Sequence, residues 1–122
     1  MRHLPQVIAF SVVLLLAHAP AVFAHAFPDH SLPAVGGTIT GSPKEVDIWF
    51  TQELEPAFST LKVFNQAGQQ VDLDPSTVDA KNAALLRVAV KDLPPGTYKV
   101  VWHAVSVDTH VTDGNFTFTV TK

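Results

Sequence analysis

Apolar and polar residues alternate along much of the chain, which is the two-residue period of half-buried β-strands. The period is clearest in residues 45–50, EVDIWF, and in residues 115–121, NFTFTVT, where three apolar side chains fall on one face. Further strands are predicted at residues 60–64, 70–73, 84–90 and 97–105, with a short one near Thr38. Turn sequences, NQAG at 65–68 and LPPG at 93–96, separate them. No segment keeps a 3.6-residue period for three turns, so we predict an all-β fold, an antiparallel Greek-key sandwich or barrel.

The first 24 residues have the layout of a secretory signal peptide. Arg2 is followed by an apolar run from Val7 to Leu16 and by small residues around Ala24. The run is shorter than the about 20 apolar residues that a membrane span needs. We therefore expect cleavage and a single exported domain of residues 25–122 with no membrane insertion, an uncleaved membrane anchor being the alternative.

The composition of the expected mature domain restricts its partners and its metal chemistry. Residues 25–122 hold seven Lys plus Arg against eleven Asp plus Glu, a net charge of −4 with His neutral. This acidic balance argues against nucleic acid or an anionic membrane surface as a partner. The chain has no cysteine, and its one methionine is Met1. Thiolate and thioether sites are excluded, so a metal site must use nitrogen and oxygen.

The position of the cleavage site decides whether the mature chain begins with a metal chelate. Cleavage after Ala24 makes His25 the first residue, and its free α-amine and ring Nδ1 can then close a six-membered ring on one metal ion. A metal ion displaces the proton of a free α-amine at little cost near neutral pH. Cleavage after Ala26 would remove this histidine. A copper motif with histidine third in the chain is not available, because Phe27 occupies that place.

A second candidate lies in the segment SVDTHVTDG, residues 106–114. In an extended backbone, residues two apart point to the same side, so Asp108 and His110 would present a carboxylate and an imidazole together. This pair suits Cu(II) or Zn(II). Taken alone, the D-x-H sequence is more typical of a solvated turn.

Four sequence blocks resemble the CopC family of periplasmic copper-binding proteins. They are HAFPDHSLPAVGG from His25, SPKEVDIWFTQEL from Ser42, LPPGTYKVVWHAVSVDTH from Leu93 and GNFTFTV from Gly114. Their order and spacing cover essentially all of the expected mature domain. The resemblance implies an immunoglobulin-like β-sandwich in which His25 lies beside the D-x-H segment.

The resemblance also implies the ligands of one Cu(II) ion per chain. His25 would supply its amine and Nδ1, His110 a third nitrogen and Asp108 an oxygen. Three nitrogens and one oxygen suit the tetragonal geometry of Cu(II), and Zn(II) is a weaker competitor. The implied role is copper resistance or homeostasis, in which a soluble protein that is not an enzyme sequesters copper or delivers it to an inner-membrane importer of the CopD type.

Several positions depart from the family pattern. Thr109 stands where glycine is common, and we expect it to suit an extended backbone. Pro28 stands where an apolar residue such as leucine is usual. An acidic residue often lies two after the strand-ending Phe50, but here that residue is Gln52, so a hydrogen bond that orients a ligand histidine comes from its amide or is missing.

Two other functions are consistent with the sequence. A histidine-brace copper site with an open position could activate oxygen, as in oxidative polysaccharide-cleaving enzymes. A metal-free interaction domain is the third possibility, because an immunoglobulin-like sandwich does not by itself specify a function.

The remaining histidines and the tryptophans have simpler interpretations. His30 is expected to be an exposed loop residue and His103 an outward-facing strand residue. Trp49 and Trp102 are both expected to pack in the sandwich.

Overall fold

Eight β-strands form two four-stranded sheets in a computed structural model that describes residue 3 and residues 25–122. The strands are β1 (Pro28–Leu32), β2 (Thr38–Thr40), β3 (Glu45–Phe50), β4 (Thr60–Phe64), β5 (Thr77–Val78), β6 (Leu85–Ala89), β7 (Gly96–Val105) and β8 (Val111–Thr121). The strand order is β1-β3-β6-β5 in the first sheet and β2-β8-β7-β4 in the second. The expected signal peptide lies outside the described residues, apart from residue 3. Within the described ranges, no helix is long and apolar enough to cross a membrane.

The strand pairing confirms the all-β sandwich with one exception to its antiparallel order. Neighbouring strands are antiparallel except β2, which runs parallel to β8. The longest ladder joins β7 to β8 in register from Gly96 opposite Val120 to Val105 opposite Val111. The short connection at residues 106–110 therefore closes a long hairpin at one end of the sandwich.

The core lies between the two sheets and is built from the apolar phase of the strands. Val46 and Ile48 of β3 are fully buried, as are Val63 of β4 and Val100 of β7, and Phe118 of β8 is 1% exposed. The inward positions were predicted from alternation in residues 45–50 and 115–121, and the structure confirms them. Burial of such side chains stabilises the fold by about 1.5–3 kcal/mol each.

Three stretches differ from the predicted strands, and one of them is the two-residue strand β5, which was not predicted. Residues 70–73 form only isolated bridges, Phe64 to Gln70 and Asp72 to Val90, because the Asp72 carboxylate takes the Val63 amide at 2.9 Å in place of a backbone partner. Strand β1 was not predicted, because PDHSL lacks alternation and its pairing with β3 shifts register between Pro28 and His30.

The two tryptophans occupy different environments. Trp102 is 8% exposed and packs edge-on against Phe50 with ring centroids 5.5 Å apart, which confirms its predicted core position. Its indole lies directly over Gly114 on the neighbouring strand. Trp49 is only partly buried, and it stacks on the His30 ring at 4.4 Å. Trp49 therefore covers the outer side of the first sheet rather than filling the core.

Candidate metal centre

The structure brings His25 next to the loop that closes the β7–β8 hairpin. His25 precedes β1, and the loop at residues 106–110 ends at His110. The two imidazole rings meet edge to face, with centroids 4.8 Å apart and planes inclined by 79°. Two histidines that are far apart in the sequence thus place their ring nitrogens close together.

His25 Nδ1 is buried without a hydrogen-bond partner among the described residues. Buried polar atoms in folded proteins are nearly always paired, so an unpaired one calls for an explanation, and a bound ion or water molecule is one. The atom is the ring nitrogen that would close a chelate with the residue's own amine. The observed environment therefore fits a metal-binding nitrogen.

The loop at residues 106–110 is a tight turn held by Ser106. The Ser106 amide donates to the His110 carbonyl at 3.0 Å, and the His110 amide donates to the Ser106 hydroxyl oxygen at 3.2 Å. The Thr109 amide donates to the Ser106 carbonyl at 2.9 Å. Ser106 is itself buried, with 1% exposure, so the turn is anchored in the protein interior.

Asp108 and His110 are adjacent in space. Asp108 Oδ1 lies 3.2 Å from His110 Nδ1, and it also accepts a hydrogen bond from the Ser106 hydroxyl. The Ser106 hydrogen bond first, and the His110 hydrogen bond second, hold the pKa of the Asp108 carboxyl below its ordinary value. The carboxylate is therefore ionised at neutral pH and places a negative oxygen beside the two rings.

Side chains alone do not make a metal site here. Across residues 25–122, no group of three or more His, Asp and Glu side chains is arranged to hold a metal ion. The contacts among the candidate ligands are pairwise, His25 with His110 and Asp108 with His110.

Comparison with known proteins identifies the family. Residues 29–121 match the CopC domain. The chain belongs to the CopC family.

Relatives of this CopC chain include proteins of the same size and one much larger protein. Protein YobA of Escherichia coli K12 is 34% identical over 113 residues, which cover 92% of this chain and 91% of YobA. Copper transport protein CutJ of Bacillus subtilis is 33% identical over 113 residues, which cover 91% of this chain and 21% of CutJ. The solved structure of PcoC, a methionine-rich copper resistance protein from Escherichia coli, matches with a TM-score of 0.71 and 30% identity over 80% of this chain and all of PcoC.

The turn geometry corrects one expectation for this CopC chain. Asp108 and His110 were expected in an extended segment, but Thr109 between them has a φ of 72°, in the left-handed region. The prediction that Thr109 suits an extended backbone is wrong. The two side chains come together because the backbone turns, and glycine at this position would adopt that conformation without steric cost.

Replacing Thr109 with glycine is expected to stabilise the metal-free protein by about 1 kcal/mol. A residue with a Cβ in the left-handed region costs about 1–2 kcal/mol, which glycine avoids. Part of this stabilisation is lost, because glycine has more conformational freedom in the unfolded chain. Urea denaturation measures the change. Val107→Gly in the same turn, where φ is not positive, serves as the control and should destabilise the protein. Equal changes of the same sign in the stability of Thr109→Gly and Val107→Gly would contradict backbone strain at Thr109.

Thr51, the neighbour of Gln52, contacts the backbone of His25 rather than its ring. The Thr51 hydroxyl donates to the His25 carbonyl at 3.2 Å and accepts from the Phe27 amide at 3.1 Å. A second hydroxyl, that of Thr112, donates to the Ala26 carbonyl at 2.5 Å. Sequence reasoning gave neither threonine a role.

His30 and His103 lie at the surface, and each is paired with an aspartate. His30 Nδ1 lies 2.8 Å from Asp29 Oδ2, and its side chain is 58% exposed. It belongs to β1 rather than to a loop, although its exposure is as expected. His103 faces outward from β7, as predicted, and pairs with Asp113 at 2.5 Å.

Proposed function

We propose that this protein binds one Cu(II) ion at its amino terminus and that His25, Asp108 and His110 are the ligands. His25 would contribute its free α-amine and Nδ1, His110 one ring nitrogen and Asp108 a carboxylate oxygen. The observation that carries the proposal is the buried, unpartnered Nδ1 of His25 beside the His110 ring.

The spacing of the donors supports a shared ion. Two neighbouring ligands that lie about 2.0–2.2 Å from one divalent ion are about 3 Å apart from each other. Asp108 Oδ1 and His110 Nδ1 are separated by 3.2 Å, so a small movement would let both bind the same ion. The ionised carboxylate offsets part of the positive charge of the ion.

The donor set favours Cu(II) over Zn(II). Copper heads the affinity order of the divalent first-row metals, and three nitrogens with one oxygen suit its tetragonal geometry. Residues 25–122 contain no methionine, in contrast to the methionine-rich PcoC, so a thioether site for Cu(I) is not available.

The proposed role is that of a copper carrier in the periplasm. The layout of residues 1–24 as a signal peptide supports export. The relative PcoC is a copper resistance protein and the relative CutJ a copper transport protein, and neither description is that of an enzyme. In CutJ, named as a copper transport protein, a region like this chain makes up about a fifth of the length. The proposed role therefore includes delivery of copper to a membrane importer of the CopD type as well as sequestration.

Blocking the amino group tests the proposal. A protein that begins at His25 is expected to bind one equivalent of Cu(II), and a form with one methionine ahead of His25 should bind about 100-fold more weakly, because its amine has become an amide. One ligand of a four-ligand site accounts for about 3 kcal/mol, which is the basis of this figure. Titration against a chromophoric chelator measures both affinities. Equal affinities of the two forms would overturn the ligand assignment.

A further inference from the structure

We infer that Thr51 and Thr112 are positioning residues that hold the amino-terminal chelate over the metal site. The inference rests on the proposed function and extends it, because neither side chain is a candidate ligand. Each acts on the backbone next to His25.

The hydroxyls of Thr51 and Thr112 form hydrogen bonds with consecutive residues of the segment 25–27, one from the side of each sheet. Thr51, directly after β3 in the first sheet, bonds the His25 carbonyl and the Phe27 amide. Its own amide donates to the Phe27 carbonyl at 2.8 Å. Thr112, in β8 of the second sheet, donates to the Ala26 carbonyl at 2.5 Å. The segment is therefore fixed to both halves of the sandwich.

Burial of Ala26 completes the attachment. Ala26 is fully buried and belongs to the hydrophobic core cluster. One buried methyl group with hydrogen bonds on both sides sets how far His25 extends toward His110. A sliding movement by one residue would expose the alanine and break all of these hydrogen bonds.

Fixing this segment before copper arrives increases the affinity for the ion. Ordering the backbone of one residue costs about 1–2 kcal/mol, and a site that is already ordered does not lose that free energy on binding. A chain terminus without such contacts is usually mobile. The threonines therefore raise copper affinity through the position of the histidine rather than through coordination.

Removal of each hydroxyl tests the inference. Thr112→Val is expected to weaken Cu(II) binding about tenfold, because its bond to Ala26 is partly buried and leaves the carbonyl unpaired. Thr51→Val is expected to weaken it about threefold, because Thr51 is exposed and water can replace its hydroxyl. The corresponding serine variants keep the hydroxyl and should bind as the unaltered protein does. Affinities are measured at a temperature where every variant is folded, together with the electron paramagnetic resonance spectrum of bound Cu(II).

Thr97→Val provides the matched control. Thr97 is also a strand threonine with a partly buried hydroxyl, which lies 3.4 Å from that of Thr119 near the other end of the β7–β8 ladder. Its replacement should change Cu(II) affinity less than twofold. If Thr112→Val and Thr51→Val do no more than Thr97→Val, the inference is overturned.

Two further measurements distinguish the positioning role of Thr51 and Thr112 from the assignment of the copper ligands. In the His25→Ala variant, Thr112→Val should weaken Cu(II) binding less than tenfold, because the ring that Thr112 positions is already lost; a full tenfold loss there would overturn the inference. In metal-free protein, the Phe27 amide should exchange with deuterium faster in Thr51→Val. Faster exchange would show that Thr51 orders the segment even if the unaltered protein binds no copper. Absence of copper binding would overturn the proposed function and the effect on affinity, but not this ordering. An unchanged exchange rate of the Phe27 amide would count against a positioning role for Thr51.

Discussion

Replacing His25 with alanine is expected to lower the affinity of the mature protein for Cu(II) about 100-fold. The substitution keeps the free amine but removes Nδ1, so the chelate ring cannot close, and one ligand of four accounts for about 3 kcal/mol. The same ring is the one that lies 4.8 Å from His110 with a buried nitrogen. Competition titration at fixed pH measures the change.

His30→Ala is the control for this prediction. His30 is close in sequence, but its ring is stacked on Trp49 and paired with Asp29, so its loss should change Cu(II) affinity less than threefold. The two variants remove the same chemical group from the same segment of the chain. Similar losses of affinity in both would show that the copper ligands have been assigned to the wrong histidine.

Gly114→Ala is expected to destabilise the metal-free protein by about 3 kcal/mol. A Cβ at residue 114 would overlap Cζ2 of Trp102 and lie 2.7 Å from its Cε2, far inside van der Waals contact. The indole cannot move away easily, because it is buried against Phe50. Overpacking of a core costs about 1–3 kcal/mol, and this contact is at the severe end.

Gly96→Ala is the matched control, measured by urea denaturation in the same buffer. Gly96 lies on the same two-stranded ladder, yet the nearest atoms to an added Cβ are 3.9 Å away. The control should change the free energy of unfolding by less than about 1 kcal/mol. A Gly114→Ala protein as stable as Gly96→Ala would mean that Trp102 does not pack over this glycine.

Alternation was sufficient to predict most of the sandwich, because a strand with one buried face repeats every two residues. Residues 45–50 and 115–121 were predicted to be strands on that basis, and both are. Strand β1 escaped prediction because a register shift near Pro28 breaks the repeat. Residues 70–73 were assigned to a strand wrongly, because a side-chain carboxylate can take the place of a backbone acceptor without changing the apolar pattern.

The candidate ligands could be predicted from the sequence, but the turn at Thr109 and the hydrogen bonds of Thr51 and Thr112 could not. The resemblance to CopC proteins placed His25 beside Asp108 and His110, and the structure brings these residues together. The left-handed turn at Thr109 was missed because threonine rarely adopts it. Thr51 and Thr112 act through hydrogen bonds between segments far apart in the chain, and single threonines carry no local signal of such contacts.

The burial of Ala26 links correct processing to folding. A polypeptide trimmed to begin at Phe27 would lose its candidate copper-binding histidine, and it would also lose a side chain from the interior and the acceptor of the Thr112 hydroxyl. Under the proposed processing, cleavage after Ala26 in place of Ala24 would thus yield a less stable chain that also lacks one proposed copper ligand.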